Sequence, residues 1–368
     1  MAIRGIVACG SVSPDDAARV ARRAAELGVE IITEVADTSE QLLDVLQRHP
    51  GAEVMLSDFL PDIAGAESLY AFDRHSHDGN GDTAAEDAVL AAMASMRWIQ
   101  LPSVGINQEA GSVAWRRAPF VTVTTASGLA SLAMAQYVTA SILYHAHRFW
   151  RLAEYREVRD WSVRESFLPE ILIGRTLGLL GYGGVGRRVA HVAHALGMRV
   201  IAVRRTPGRP AAEQYRRPEI ETLDAGREPA EVHGLDRLDW LLSQAEFLVS
   251  TVPLTTESRG LIGEREIALL PHGAVVINVS RGPIFDEDAL IAGLQSGALG
   301  GVSLDVFRTE PLPADSPLWD MPNAMLTPHA SGTHDHVSTY TADLFIENLE
   351  RYVAGRPLLN VADRSRGY

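Results

Sequence analysis

Gly181-Tyr182-Gly183-Gly184-Val185-Gly186 separates two short apolar runs, Thr176 to Leu180 and Arg199 to Val203. No other feature limits the fold of this chain so strongly. Strand, glycine turn, helix and second strand form the opening unit of a doubly wound parallel sheet. Val185, Val189, Val192 and Leu196 recur at helical spacing and give the intervening helix one buried face. Gly181 allows the tight turn, Gly183 lets a pyrophosphate approach the backbone, and Gly186 lets helix and strand pack closely. The pyrophosphate then meets the positive N-terminus of the helix. The ordinary alternative is a structural turn, because this glycine spacing alone is a weak motif.

Sites that select NAD carry an acid at the end of the second strand, about 20 residues past the glycines, to bind the ribose 2′-hydroxyl. Here Arg204-Arg205-Thr206 occupies that place. A guanidinium pairs with a 2′-phosphate, whereas an acid repels it. NADP is therefore preferred over NAD. The competing reading is two solvated arginines at a strand end.

The 368 residues allow two domains with separate cores. A formal net charge of -14 disfavours general nucleic-acid binding. The single cysteine, Cys9, excludes an internal disulfide and points to a reducing, cytoplasmic setting. It lies in an apolar stretch and reads as a small buried hydrophobe. Arg4, Asp15 and Asp16 argue against a signal peptide. No run approaches the roughly 18 apolar residues of a membrane span, so a soluble protein without a membrane partner is expected.

The first sixty residues alternate like the glycine region. Ile3 to Ala8 reads as a strand, Ser13 caps a helix to about Leu27, and Val29 to Ile32 is a second strand. Ser39 is expected to cap a helix to about His49, followed by a strand from Glu53 to Leu56. Asp73 to Asp87 reads as an exposed loop, and its His75 and His77 are no more than a surface pair, so no metal is expected. Arg97 to Gln100 is a strand, and Gly128 to His147 a long apolar helix suited to bridging two domains. Thr206 to Asp236 reads as a surface excursion. Phe247 to Ser250, Ala274 to Ile277 and Gly301 to Val306 are further strands, and Thr333 to about Val353 is helical. The alternation implies an α/β fold with parallel sheets.

Three polar residues then stand out. Arg281 follows an apolar strand, and in parallel sheets ligands lie at the C-terminal ends of strands. It is placed to bind a carboxylate and polarise a carbonyl, or else it is an exposed loop arginine. His329 follows Pro328, which restrains the backbone. Glu310 follows a strand as well. A carboxylate beside an imidazole favours the imidazolium and fixes its orientation, as a general acid requires. Alone, His329 reads as a histidine satisfied by local hydrogen bonds.

These elements in this order resemble the D-isomer-specific 2-hydroxyacid dehydrogenases, most specifically from Gly174 to Gly332. Gly174 to Gly178 is similar to that family's entry to the cofactor domain. Val252-Pro253-Leu254-Thr255 is similar to its loop near the cofactor, and Asn278 to Gly282, Leu304 to Leu312 and Thr327 to Ala330 to its active-site signatures. Gly367-Tyr368 resembles its common ending.

The resemblance implies a Rossmann-type doubly wound cofactor domain, residues 147–330. It also implies a smaller flavodoxin-like substrate domain, residues 1–146 and 331–368. It makes Arg281 the substrate anchor, His329 the acid/base and Glu310 its support. It puts Asp305 on the nicotinamide carboxamide, the backbone of Val104 and Gly105 on the substrate carboxylate, and Val252, Pro253, Thr255, Ser258, Val279 and Ser280 near the cofactor.

It further implies a homodimer acting on a small 2-keto or 2-hydroxy acid, such as glyoxylate or hydroxypyruvate. Asn107, Thr125 and Gln136 depart from the family's common Asp, Asn and Glu. Formate dehydrogenases pair their histidine with an amide, which Glu310 does not match. A cofactor-sensing corepressor shares the fold and is the rival from another class. A phosphoglycerate-type dehydrogenase would want basic residues between Leu101 and Asn107, where there are none.

Overall fold

The computed structural model describes residues 3–62, 83–106, 109, 111–159, 161–165, 167–208, 215 and 231–365. His75, His77, Asn107, Gly367, Tyr368 and most of the 73–87 and 206–236 stretches lie outside the described residues. Residue contacts divide the chain into two units. One is Met1–Ala130 with His334–Tyr368 and Tyr215, and the other is Ser131–Ala211 with Arg217–Thr333.

The first unit runs β1 (Ile3–Ala8), α1 (Pro14–Glu26), β2 (Val29–Thr33), α2 (Ser39–Arg48), β3 (Val54–Ser57), α3 (Thr83–Ala92), β4 (Trp98–Gln100), α4 (Val113–Arg117) and β5 (Thr122–Thr124). Its sheet has the order β2-β1-β3-β4-β5 with every pair parallel, the flavodoxin-like arrangement. Ser13 caps α1 by accepting from Asp16 N at 3.2 Å.

The cap of α2 is Thr38 rather than Ser39. Thr38 has the extended backbone a cap needs and accepts from Gln41 N, and Ser39 is the first helical residue. The last residues of the expected 73–87 loop open α3 instead. Glu86 is held there by Arg116 at 2.5 Å and Arg117 at 2.7 Å, both from α4. The C-terminal helix is Val337–Val353, so His334 to His336 precede it. It packs on α1, where Arg23 meets Glu350 at 2.7 Å, and on β4, where Phe345 stacks on Trp98 at 4.9 Å.

The second unit runs α5 (Ser131–Ala146), α6 (Leu152–Val158), β6 (Thr176–Leu180), α7 (Gly184–Ala195), β7 (Arg199–Val203), β8 (Glu231–His233), α8 (Leu238–Leu242), β9 (Phe247–Ser250), α9 (Glu264–Leu269), β10 (Ala274–Asn278), α10 (Glu287–Gln295), β11 (Leu299–Leu304) and β12 (Ala324–Leu326). The seven-stranded sheet has the order β12-β11-β10-β9-β6-β7-β8, again all parallel. This is the doubly wound dinucleotide-binding order with one extra edge strand, and its switch point lies between β6 and β9. Every residue of β6, β9 and β10 is buried, as expected where helices cover both faces of a parallel sheet. Val138, Ile142, Val189 and Ala193 of α5 and α7 pack one face. Leu241, Ile267 and Leu290 of α8, α9 and α10 pack the other.

β8 falls inside the expected surface excursion. It is a half-buried edge strand, so no apolar run marks it. The most buried residues of α7 are Gly186, Arg188, Val189, Ala190 and Ala193; Val185 and Leu196 pack partly covered against the same core, and Val192 is half-buried. Small residues are frequent on this face because the helix packs closely against α5 as well as on the sheet. No helix among the described residues is long and apolar enough to cross a membrane.

Candidate active site

The C-terminal edge of the seven-stranded sheet collects the polar residues from separate strands. Gly181 follows β6, Arg204 follows β7, Arg281 lies just past β10, Asp305 follows β11, and Thr327 to His329 follow β12. The glycine turn and Asp305 are three strand spacings apart, about 14 Å. One elongated ligand can touch both.

The glycines divide the work. Gly181 has φ +100°, where a Cβ would lie 2.8 Å from Thr251 Oγ1. At Gly186 a Cβ would lie 2.6 Å from the Gly181 carbonyl oxygen. These two positions fold the turn and seat α7 on β6. A Cβ at Gly183 would meet no protein atom within 4 Å. Gly183 is also the N-cap of α7 and provides no side-chain cap for the N–H groups of Gly184, Val185 and Gly186. Uncapped amides beside a backbone open to approach fit a pyrophosphate.

Around this turn, Arg204 N donates to His233 O at 2.9 Å. Arg205 Nη2 lies 2.7 Å from Glu257 Oε2. Thr206 is exposed. In the loop after β9, Ser258 Oγ donates to Pro253 O at 2.8 Å and accepts from Thr255 N at 2.8 Å. A Cβ at Gly181 would also lie 2.9 Å from Val252 Cγ1, so this loop closes one side of the turn.

The Arg281 turn is built by Asn278. Its Oδ1 accepts from Ser280 N at 3.1 Å and Ser280 Oγ at 2.7 Å, and its Nδ2 donates to Arg281 O at 3.0 Å. Ser280 Oγ also lies 2.8 Å from Ser250 Oγ, and Val279 is buried beneath. The guanidinium of Arg281 donates through Nη1 to Ser280 O at 2.7 Å. Burial pulls its pKa below the ordinary arginine value, and the carboxylates of Glu310 and Asp305 act in the opposite direction. Those two acids therefore lie within electrostatic reach of the cation. Next to it, a Cβ on Gly282 would sit 1.8 Å from Phe307 O, so only glycine lets this turn approach the loop that carries Glu310.

His329 Nδ1 lies 2.8 Å from Glu310 Oε2. The carboxylate is almost fully buried, with 5% of its side chain exposed, and its Oε1 accepts from Phe307 N at 2.9 Å. A carboxylate only accepts, so Nδ1 carries the hydrogen and Nε2 is the nitrogen left for proton exchange. His329 has φ +52°, an uncommon conformation for a residue with a side chain. The strand end holds it there. His329 N donates to Asp305 O at 2.8 Å, while the Asp305 carboxylate accepts from Ala330 N at 2.8 Å and Ser331 N at 2.9 Å. Thr327 Oγ1 lies 2.6 Å from Asp305 Oδ1 and 2.9 Å from Tyr137 Oη. Burial pushes the Tyr137 phenol up to about 12.

A family model described as D-isomer specific 2-hydroxyacid dehydrogenase, NAD binding domain, matches residues 139–331, more than half of the chain. A glyoxylate reductase from Aeropyrum pernix is 33% identical over 255 residues, which cover 66% of this chain and 70% of that protein. The glyoxylate/hydroxypyruvate reductase B of Pectobacterium carotovorum is 37% identical over 206 residues, 55% of this chain and 59% of that protein. The chain belongs to the D-isomer-specific 2-hydroxyacid dehydrogenase family. It is an NAD(P)-dependent oxidoreductase of 2-hydroxy and 2-keto acids. The crystal structure of a D-isomer specific 2-hydroxyacid dehydrogenase from Xanthobacter autotrophicus Py2, in complex with NADPH and MES, superposes with a TM-score of 0.73. It is 26% identical, with all of both chains covered.

Within this dehydrogenase the structure brings Arg281, Asp305, Glu310 and His329 together on one sheet edge. Val104 and Gly105 lie in the first unit, in the loop after β4, where Val104 is 42% exposed. Tyr137, the link through Thr327, Ser250 and the approach set by Gly282 are not among the site features expected from the sequence. Asn278 was readable, since Asn two residues before Ser is a signal for a local side-chain turn. Tyr137 was not, because 190 residues separate it from Thr327.

Proposed function

We propose that this dehydrogenase reduces small 2-keto acids of the glyoxylate or hydroxypyruvate kind to D-2-hydroxy acids, with NADPH as preferred donor. The observation that carries the reading is the 2.8 Å pairing of His329 Nδ1 with Glu310 close to the Arg281 guanidinium. Arg281 takes the substrate carboxylate through its planar fork and draws electron density from the adjacent carbonyl. A nicotinamide held at this site would supply the hydride to the carbonyl carbon. His329 gives the proton at Nε2 to the carbonyl oxygen, and takes it back in the oxidative direction. Glu310 fixes the tautomer, and Asp305 fixes the loop while staying near the cofactor end of the site.

The Gly181 to Gly186 turn, Arg204, Arg205 and Thr206, the loop of Val252, Pro253, Thr255 and Ser258, and the Val279-Ser280 turn hold the dinucleotide in this reading. The absence of an acid at the end of β7 supports NADP. The relatives named as glyoxylate and hydroxypyruvate reductases support the substrate class. The first unit is the substrate domain in this reading, and the backbone amides of Val104 and Gly105 are its candidates for substrate binding. The deciding experiment is turnover: NADPH and NADH oxidation with a panel of 2-keto acids.

We also propose a cytoplasmic homodimer. The single cysteine supports the compartment. Trp161, Leu168, Ile171 and Ile173 are 86%, 72%, 75% and 77% exposed, an apolar stretch that suits burial against a second copy. Analytical ultracentrifugation should give twice the chain mass. A single-chain mass at micromolar concentration would contradict it.

A further inference from the structure

Arg205, placed above on the ribose side of the dinucleotide, already has an anion. Its Nη2 lies 2.7 Å from Oε2 of Glu257. The two residues stand on loops to either side of the glycine turn. Arg205 lies just past β7, Glu257 lies in the loop after β9, and β6 runs between those strands. The loop of Glu257 is held in place. Thr255 N donates to Ser258 Oγ at 2.8 Å, Ser258 N donates to Thr255 Oγ1 at 3.2 Å, and Ser258 is buried. Glu257 is thus presented to Arg205 from a turn closed by reciprocal side-chain bonds.

We propose that Glu257 is a specificity-determining residue: it competes with a ribose 2′-phosphate for Arg205 and so narrows the preference for NADPH over NADH. The inference rests on the reading that Arg205 receives that phosphate. The competition is for the guanidinium edge that Glu257 occupies through Nη2, where carboxylate and phosphate oxygens both match the planar fork. The phosphate carries a charge of about −1.5 to −2 at neutral pH, more than the carboxylate, so it wins the fork. The ion pair must open first, and Glu257 then remains beside a like charge. Both partners are exposed, 39% for Arg205 and 70% for Glu257, which limits the effect. Exposed pairs change an equilibrium by up to about fivefold. Glu257 tunes the preference without blocking the site. NADH brings a hydroxyl to the same place and leaves the pair closed.

Glu257→Gln keeps the shape of the turn and removes the charge. Titrated by nucleotide fluorescence on the whole chain, its Kd for NADPH should fall about two- to fivefold while that for NADH stays as in the wild type. In an Arg205→Ala background the same substitution should leave the NADPH Kd unmoved. Equal gains for both cofactors, no gain for NADPH, or a gain that persists without Arg205 would overturn the proposal. Arg205→Ala alone separates the two claims. If it weakens NADPH selectively while Glu257→Gln changes nothing, the phosphate reading stands and the competition is wrong. If it weakens neither cofactor, both are wrong.

Discussion

Gly282 shows how one missing side chain can set the geometry of a site. A Cβ there would meet the Phe307 carbonyl oxygen at 1.8 Å and its carbon at 1.9 Å, both backbone atoms that no rotamer change can move. The close approach lets Arg281 share electrostatics with Glu310 across two loops. Gly282→Ala should therefore push the loops apart, destabilising the chain by about 1–3 kcal/mol as overpacking does, with loss of activity beyond the loss of folded protein. Urea unfolding and kcat/KM on the same preparation check this. Wild-type values for both would mean the loops separate freely. His329 makes a related point, since its left-handed backbone costs free energy that the Asp305 bonds to Ala330 and Ser331 offset.

Among the elements, legibility followed burial. β6, β7 and β9 have the bounds expected from the sequence because parallel strands covered on both faces are largely apolar runs. β8 was missed because Glu231-Val232-His233 is polar at both ends and lies on the edge. The stripe of α7 is wider than the apolar spacing alone shows, because close packing against α5 also buries glycine and alanine beside Val189. Polar contacts between elements far apart in sequence were also hidden.

One such contact, His145 of α5 against β11, has a pH consequence. Its Nε2 lies 3.0 Å from Ser303 Oγ, and a Cβ on Gly301 would sit 2.4 Å from its Nδ1. Burial holds its pKa down at about 4, against an ordinary 6.5. The folded state thus refuses a proton that the unfolded chain takes below 6.5. The stability from the neutral ring is fully present above pH 6.5 and is lost as pH falls toward 4, by about 2 kcal/mol at pH 5. Denaturation at pH 7.5 and pH 5 should show His145→Gln losing less stability than the wild type. Equal losses would mean that His145 does not titrate in this way.

For the molecule as a whole, the sheet orders agree with the sequence reading: a flavodoxin-like order in one unit and a doubly wound order in the other. The order of the motifs made this legible, because each lies just after a strand, where parallel sheets bind ligands. The substrate side was less legible. Val104 and Gly105 would act through backbone N–H groups, which leave no trace in side-chain identity.

The second unit carries both the glycine turn and the Arg281, Glu310 and His329 cluster. Nucleotide binding and proton transfer should therefore be separable by substitution. The most direct measurement is NADPH oxidation by glyoxylate and hydroxypyruvate, with nucleotide Kd measured in parallel, for wild type and His329→Gln. The wild type should turn over, and the variant should lose about 10²- to 10⁴-fold in kcat/KM with its NADPH Kd unchanged. A wild type that oxidises neither NADPH nor NADH with any 2-keto acid, or a His329→Gln variant as fast as the wild type, would contradict it.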